Sequence, residues 1–189
     1  MDRRELLKMI AVVTGGVFIG GEALLTGCKP GSSVGGATFS EADIAFLDEV
    51  AETIIPKTTT PGSKDVKTGQ FMTVFVNDCY PDADQKIFHD GIAKLDEESK
   101  KATGKSFMES TPEQRTTLLT GLDKTAIDYQ KNKKPSDPTN YFTMMKQLAI
   151  FGYFTSKDGA NQDLRYIAVP GKFDGEYPYK KGDKAWATS

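Results

Sequence analysis

The chain is short of the residues that most often carry chemistry. It holds two cysteines, one histidine and one tryptophan in 189 residues. One His and two Cys cannot supply a Cys/His metal site, and no Cys-x-x-Cys-His haem attachment occurs. From residue 39 onward there is no Gly-x-Gly-x-x-Gly fingerprint, no phosphate-cradling loop and no nucleophile elbow. An excess of one charge is missing as well. The formal net charge is −2 with the signs interspersed, which leaves no electrostatic footprint for nucleic acid. A self-contained enzyme would need His89, Cys79 and scattered carboxylates to meet in the fold. No uninterrupted apolar run is long enough to span a bilayer, because Met9 to Leu25 is broken by Gly15-Gly16, Gly20-Gly21 and Glu22.

What is present begins at the start of the chain. Arg3-Arg4, followed by Leu6, Leu7 and Lys8, resembles the twin-arginine export motif, an address read by a receptor. Leu25-Thr26-Gly27-Cys28 resembles a bacterial lipobox, in which two small residues precede the cysteine whose sulfur is acylated. Residues 1–27 therefore read as a cleaved signal and Cys28 as the lipidated first residue of the mature chain. Lys29 to Thr38, rich in Gly and Ser, reads as a flexible tether making up, with Cys28, segment 28–38. The expected location is the bacterial periplasm or cell envelope, with the protein held at a membrane by its lipid. With Cys28 acylated, Cys79 is the one thiol left, so no disulfide within the chain is possible.

Residues 39–189 read as one all-α unit, a bundle of about five helices followed by an irregular arm from about 156 to 189. Ser40 and Asp43 have capping-box spacing, and Ile44, Leu47, Val50, Ala51, Ile54 and Ile55 give one apolar stripe that Pro56 ends. Gln70 to Tyr80 carries Phe71, Val74, Phe75 and Cys79 on one side, so the Cys79 thiol is expected buried as a small hydrophobe. Asp84 to Lys101 places Ile87, Phe88, Ile92 and Leu95 inward, with His89 at the boundary. Thr111-Pro112-Glu113-Gln114 is the clearest helix start, with Leu118, Leu119, Leu122, Ala126 and Tyr129 behind it. Asn140 to Phe154 is apolar most of the way round, as befits a central helix or one shared with a partner.

After Thr155 the pattern changes. Ser156 to Tyr166 allows at most one short helix, and Ile167 to Tyr179 is a Pro/Gly/aromatic run that cannot easily bury its rings on itself. Two fates stay open for it: folding back over its own bundle, or meeting a partner. Tyr153, Phe154, Arg165, Tyr166, Phe173 and Tyr177 are the candidate partner anchors, because aromatics and Arg dominate interface energetics.

The ordered set Phe39-Ser40-x-x-Asp43, Ile54-Ile55-Pro56, Thr60-Pro61-Gly62, Thr111-Pro112-Glu113-Gln114-Arg115, Gly152-Tyr153-Phe154-Thr155-Ser156 and Leu164-Arg165-Tyr166 with Pro170-Gly171 and Asp174-Gly175 resembles the gluconate 2-dehydrogenase subunit 3 family. The resemblance implies a small, non-catalytic subunit of a membrane-associated sugar or polyol dehydrogenase. Its large partner would be a flavoprotein of the glucose–methanol–choline type carrying FAD, often with a cytochrome c, and the twin-arginine signal on the small subunit would export both chains. Members of the family often have a Cys near the Gly-x-x-Pro of the arm; Gly175-Glu176-Tyr177-Pro178 has none. The implied roles are export, stabilisation and membrane tethering, with no catalytic, cofactor-binding or metal-binding residue in this chain. The alternative reading is a free-standing lipoprotein that binds carbohydrate through its aromatic arm.

Overall fold

The Ser40 hydroxyl and the Asp43 carboxylate cap each other's backbone amides, Asp43 taking the Ser40 N–H at 2.8 Å, and this reciprocal pair starts α1 (Glu41–Ile54). The computed structural model describes residues 38–169 and 171–187. Four further helices follow: α2 (Thr68–Cys79), α3 (Asp82–Thr103), α4 (Pro112–Asn132) and α5 (Tyr141–Thr155), then a single π-helical turn at Gly159–Asp163. All of them pack together, and no strand occurs among the described residues. The start of α4 is the predicted capping box, with Thr111 and Gln114 bonded reciprocally and Pro112 in the first turn.

The core is filled by Leu47, Val50 and Ala51 of α1, Met72 and Val76 of α2, Phe88, Ile92 and Leu95 of α3, Leu119 and Ala126 of α4, and the inner face of α5. Each large side chain among them stabilises the fold by about 1.5–3 kcal/mol relative to exposure. Helix α5 touches all four other helices, so its near-continuous apolar surface reflects a central position. Phe46 and Phe107 add to the core with ring centroids 5.2 Å apart, a contact that the stripe of α1 did not foretell.

Polar pins hold the connections. Glu49 of α1 is paired with both Arg115 of α4 and Lys64 of the α1–α2 loop. Arg115 also donates to the carbonyls of Phe107 (2.9 Å) and Met108 (2.7 Å) and lies over the Phe107 ring. In the same loop Glu52 accepts the backbone N–H groups of Lys57 and Lys64. Asp48 accepts the Gly69 N–H at 2.6 Å, an approach so close that a Cβ at position 69 would sit 2.5 Å from the Ile44 carbonyl oxygen. Burial raises the Asp48 carboxyl above its ordinary range although the Gly69 amide pulls it down.

The structure departs from the sequence reading on α2. Cys79 is exposed, not buried, and Val74 faces outward at 53% exposure. The second helix turns its Met72, Thr73 and Val76 side to the core, which rotates the expected stripe. His89 is half-buried against the Phe39 ring, 5.4 Å between centroids.

Candidate partner-binding surface

The arm leaves the bundle through a tight fastening. Tyr153 of α5 is fully buried, and its hydroxyl shares one proton between the Pro61 carbonyl (2.7 Å) and the Asp163 carboxylate. Burial, then the neighbouring Asp163, pushes this phenol up to about 12. The end of α5 is thereby tied both to the loop after α1 and to the π-helical turn. Tyr153 is thus a structural anchor, which corrects its expected place among residues facing a partner. Phe154 stands edge-on to it at 5.1 Å and is half-buried.

Beyond Asp163 the chain makes a closed loop. Arg165 exchanges backbone bonds with Ala185 and Ala187, both 2.8 Å, and forms a parallel bridge with Trp186. Its guanidinium donates to the Lys184 carbonyl at 2.7 Å and lies over two rings, 4.5 Å from Trp186 and 5.5 Å from Tyr177. Those rings meet edge to face at 5.4 Å. Among the described residues, the hydrogen bonds of 165–187 stay within 162–187. The arm therefore fastens on itself. Its hydrogen bonds do not fold it back over the bundle, and Tyr166, Phe173 and Tyr179 stay exposed.

The structure brings Arg165 and Tyr177 together and leaves Tyr166 and Phe173 apart from them on the outside, with Phe173 exposed to 94%. A second set of exposed apolar residues lies on the bundle: Val74 of α2 with Ile150 and Phe151 of α5, against the half-buried Phe71 and Phe75. Sequence reasoning put Phe71, Val74 and Phe75 on one apolar side of α2, and left Ile150 and Phe151 on a helix that is either central or shared with a partner. The one hint was the all-round apolarity of α5.

No group of three or more His, Cys, Asp or Glu among the described residues could hold a metal ion. An open groove between α3 and α4 is lined by Glu98 and Glu113 with Thr103, Thr117, Leu118 and Leu122, and no Lys or Arg borders it to meet a cofactor phosphate. No helix of the described residues is long and apolar enough to cross a membrane. Arg3, Arg4, Leu25, Thr26, Gly27 and Cys28 lie outside the described residues.

The described residues form a five-helix bundle and an arm, each with exposed aromatic side chains. The family model for gluconate 2-dehydrogenase subunit 3 matches residues 41–171. The chain belongs to the gluconate 2-dehydrogenase subunit 3 family. It is accordingly a small subunit of a dehydrogenase complex whose partners are the other subunits of that oxidoreductase. The match covers the bundle and the base of the arm and ends before Phe173. No curated protein and no solved structure matches the chain.

Proposed function

We propose that this member of the gluconate 2-dehydrogenase subunit 3 family is a non-catalytic accessory subunit of a periplasmic, FAD-dependent sugar or sugar-acid dehydrogenase of the glucose–methanol–choline type. Three tasks fall to it: carrying the folded flavoprotein through the twin-arginine route by Arg3-Arg4, stabilising it, and tethering it to a membrane through acylated Cys28. FAD belongs to the large subunit, and a cytochrome c is often a further member of such complexes. The observation that carries the reading is the family match over 41–171 on a bundle whose exposed rings exceed what its own packing uses. The export motif and the lipobox in residues 1–28 supply its location.

The test is recovery of the tagged, lipidated protein from its own envelope with an absorbance spectrum of the eluate. A stoichiometric large chain with a flavin spectrum and sugar-dependent dye reduction is expected, and Arg3→Lys with Arg4→Lys should leave both chains in the cytoplasm. A solitary, colourless protein that binds sugar would overturn this reading in favour of a carbohydrate-binding lipoprotein using Tyr166, Phe173 and Tyr177.

A further inference from the structure

The described residues hold two arginines, Arg115 and Arg165, and both lie over aromatic rings. They differ in what meets the rest of the guanidinium. Arg115 donates through Nε and one terminal nitrogen to the Phe107 and Met108 carbonyls, and through the other to the Glu49 carboxylate. Arg165 donates through Nε to the Lys184 carbonyl at 2.7 Å, and its two terminal nitrogens meet no acceptor among the described residues. The forked end of the side chain is therefore unpartnered. Three carboxylates lie in the arm itself, Asp174, Glu176 and Asp183, and among the described residues none is ion-paired with Arg165. Asp174 accepts the Glu176 N–H at 3.1 Å, and Asp183 the Lys180 N–H at 2.9 Å. Asp163, two residues before Arg165, takes the Tyr153 hydroxyl.

The fork is also held in place. The Arg165 backbone donates to the Ala185 carbonyl and accepts from the Ala187 N–H, each at 2.8 Å. Its guanidinium lies 4.5 Å from the Trp186 ring centroid and 5.5 Å from that of Tyr177. Those two residues are themselves 38% and 50% exposed, so part of each ring stays open. Charge favours an anion here. Residues 164–187 contain five Lys or Arg against three Asp or Glu, whereas 39–163 contain fifteen against twenty. A planar fork matches the two oxygens of a carboxylate, and aromatic walls suit a carbon skeleton better than a bare inorganic ion. The Lys184 ammonium, a second cation that a phosphate would need, already donates to the Gln162 carbonyl.

We propose that Arg165, with Trp186 and Tyr177, forms a binding site for a small organic carboxylate. The guanidinium fork takes the anion, and the carbon skeleton lies against the rings. The site concerns this chain alone and stands apart from the accessory-subunit reading. The same three residues close the arm, so binding and closure are coupled: a ligand held by the closed arm stabilises it against opening.

Trp186 is the one tryptophan in the chain, so its fluorescence reports on the site directly. The full-length protein is titrated with the sodium salts of acetate, lactate, gluconate and hexanoate. At least one should give a saturable change with half-saturation at or below about 10 mM, and at that concentration should slow proteolysis of residues 166–184. The matching amides, sodium chloride and inorganic phosphate should give neither response. Failure of all four salts overturns the proposal. An equal response to an amide, to chloride or to phosphate also overturns it, since the site would then be ring stacking alone or an unselective cation. Arg165→Lys keeps the charge, removes the fork and should weaken binding by at least about fivefold; unchanged affinity in that variant is a third way to sink the site. Should the variant open the arm, seen as faster proteolysis without ligand, the comparison of salt with amide on the unaltered protein decides.

Discussion

The bundle and the arm are both rich in aromatic residues, yet they use them in opposite ways. In the bundle, Phe88, Phe107, Phe142 and Tyr153 are fully or almost fully enclosed. In the arm, Tyr177 and Trp186 bracket one guanidinium while Phe173 and Tyr179 stand in solvent. The difference is one of geometry. A helix presents a row of side chains at fixed spacing, so burying one buries its neighbours. A Pro/Gly-rich loop offers no such row and can close only through a local fastening. The bundle should therefore unfold as a unit and the arm should open by itself at low cost.

The largest effect is expected inside the bundle. Phe107→Ala removes the ring between Phe46 and Arg115 and should destabilise by about 3–5 kcal/mol, read as a shift of the denaturant midpoint with unchanged slope. Next comes Arg115→Met. It leaves Glu49 with Lys64 alone, takes the Arg115 donor from the Met108 carbonyl and leaves the Phe107 carbonyl with the Ser110 N–H at 3.3 Å, for an expected loss of about 2–3 kcal/mol. A loss below half a kilocalorie would show that water replaces this pin and that the α1–α4 contact is held by its apolar residues.

The junction between the two regions should respond to alkali. The phenols of Tyr153 and Tyr141 are both pushed up to about 12, chiefly by burial, from an ordinary value of 10.0. Raised folded values mean that the native state holds these protons more tightly than the unfolded chain. Stability from this source is complete below pH 10 and declines as pH rises toward about 12. Tyr153→Phe should flatten part of that decline, lower stability at neutral pH by about 1–2 kcal/mol, and increase proteolysis between Thr155 and Arg165. An alkaline profile identical to that of the unaltered protein would remove Tyr153 as its source.

The smallest effect on global stability belongs to the fastening of the arm. Arg165→Ala should change the unfolding free energy of the bundle by no more than about 0.5 kcal/mol. It should nevertheless red-shift the fluorescence of Trp186, the one tryptophan in the chain, and open residues 166–184 to protease. If the midpoint of bundle unfolding moved by several degrees instead, the arm would be part of the bundle's cooperative unit and the contrast drawn above would fail.

The helices were legible from their apolar spacing, and α1 and α4 also from starts that are marked locally. Ser40 with Asp43, and Thr111 with Pro112 and Gln114, are start signals that need no tertiary partner, and both form as the sequence implies. The inward residues of α3, Phe88, Ile92 and Leu95, were legible too, since polar residues on the other side of that helix fix its facing. On α2 and α5 the same reasoning loses its grip. Thr73, Val74 and Phe75 offer no clear polar side, so the exposure of Val74 and Cys79 could not be read. Along α5 nearly every position is apolar, and periodicity cannot say which residues remain outside.

By itself, then, the sequence determined the number and order of the helices, the capped starts of α1 and α4, the all-α class and the membership of a dehydrogenase-subunit family, because caps, prolines and ordered motifs act within a few residues of themselves. Tertiary structure alone decided that Tyr153 is enclosed while Phe151, two residues before it, is exposed, and that Arg165 closes on Trp186. Both outcomes depend on which surfaces meet when distant segments pack: Pro61 and Asp163 arrive at Tyr153, whereas Phe151 meets the rings of Phe71 and Phe75 and stays half open to solvent. Local pattern fixes where a helix runs, and the set of neighbours brought to it fixes which of its apolar residues stay exposed.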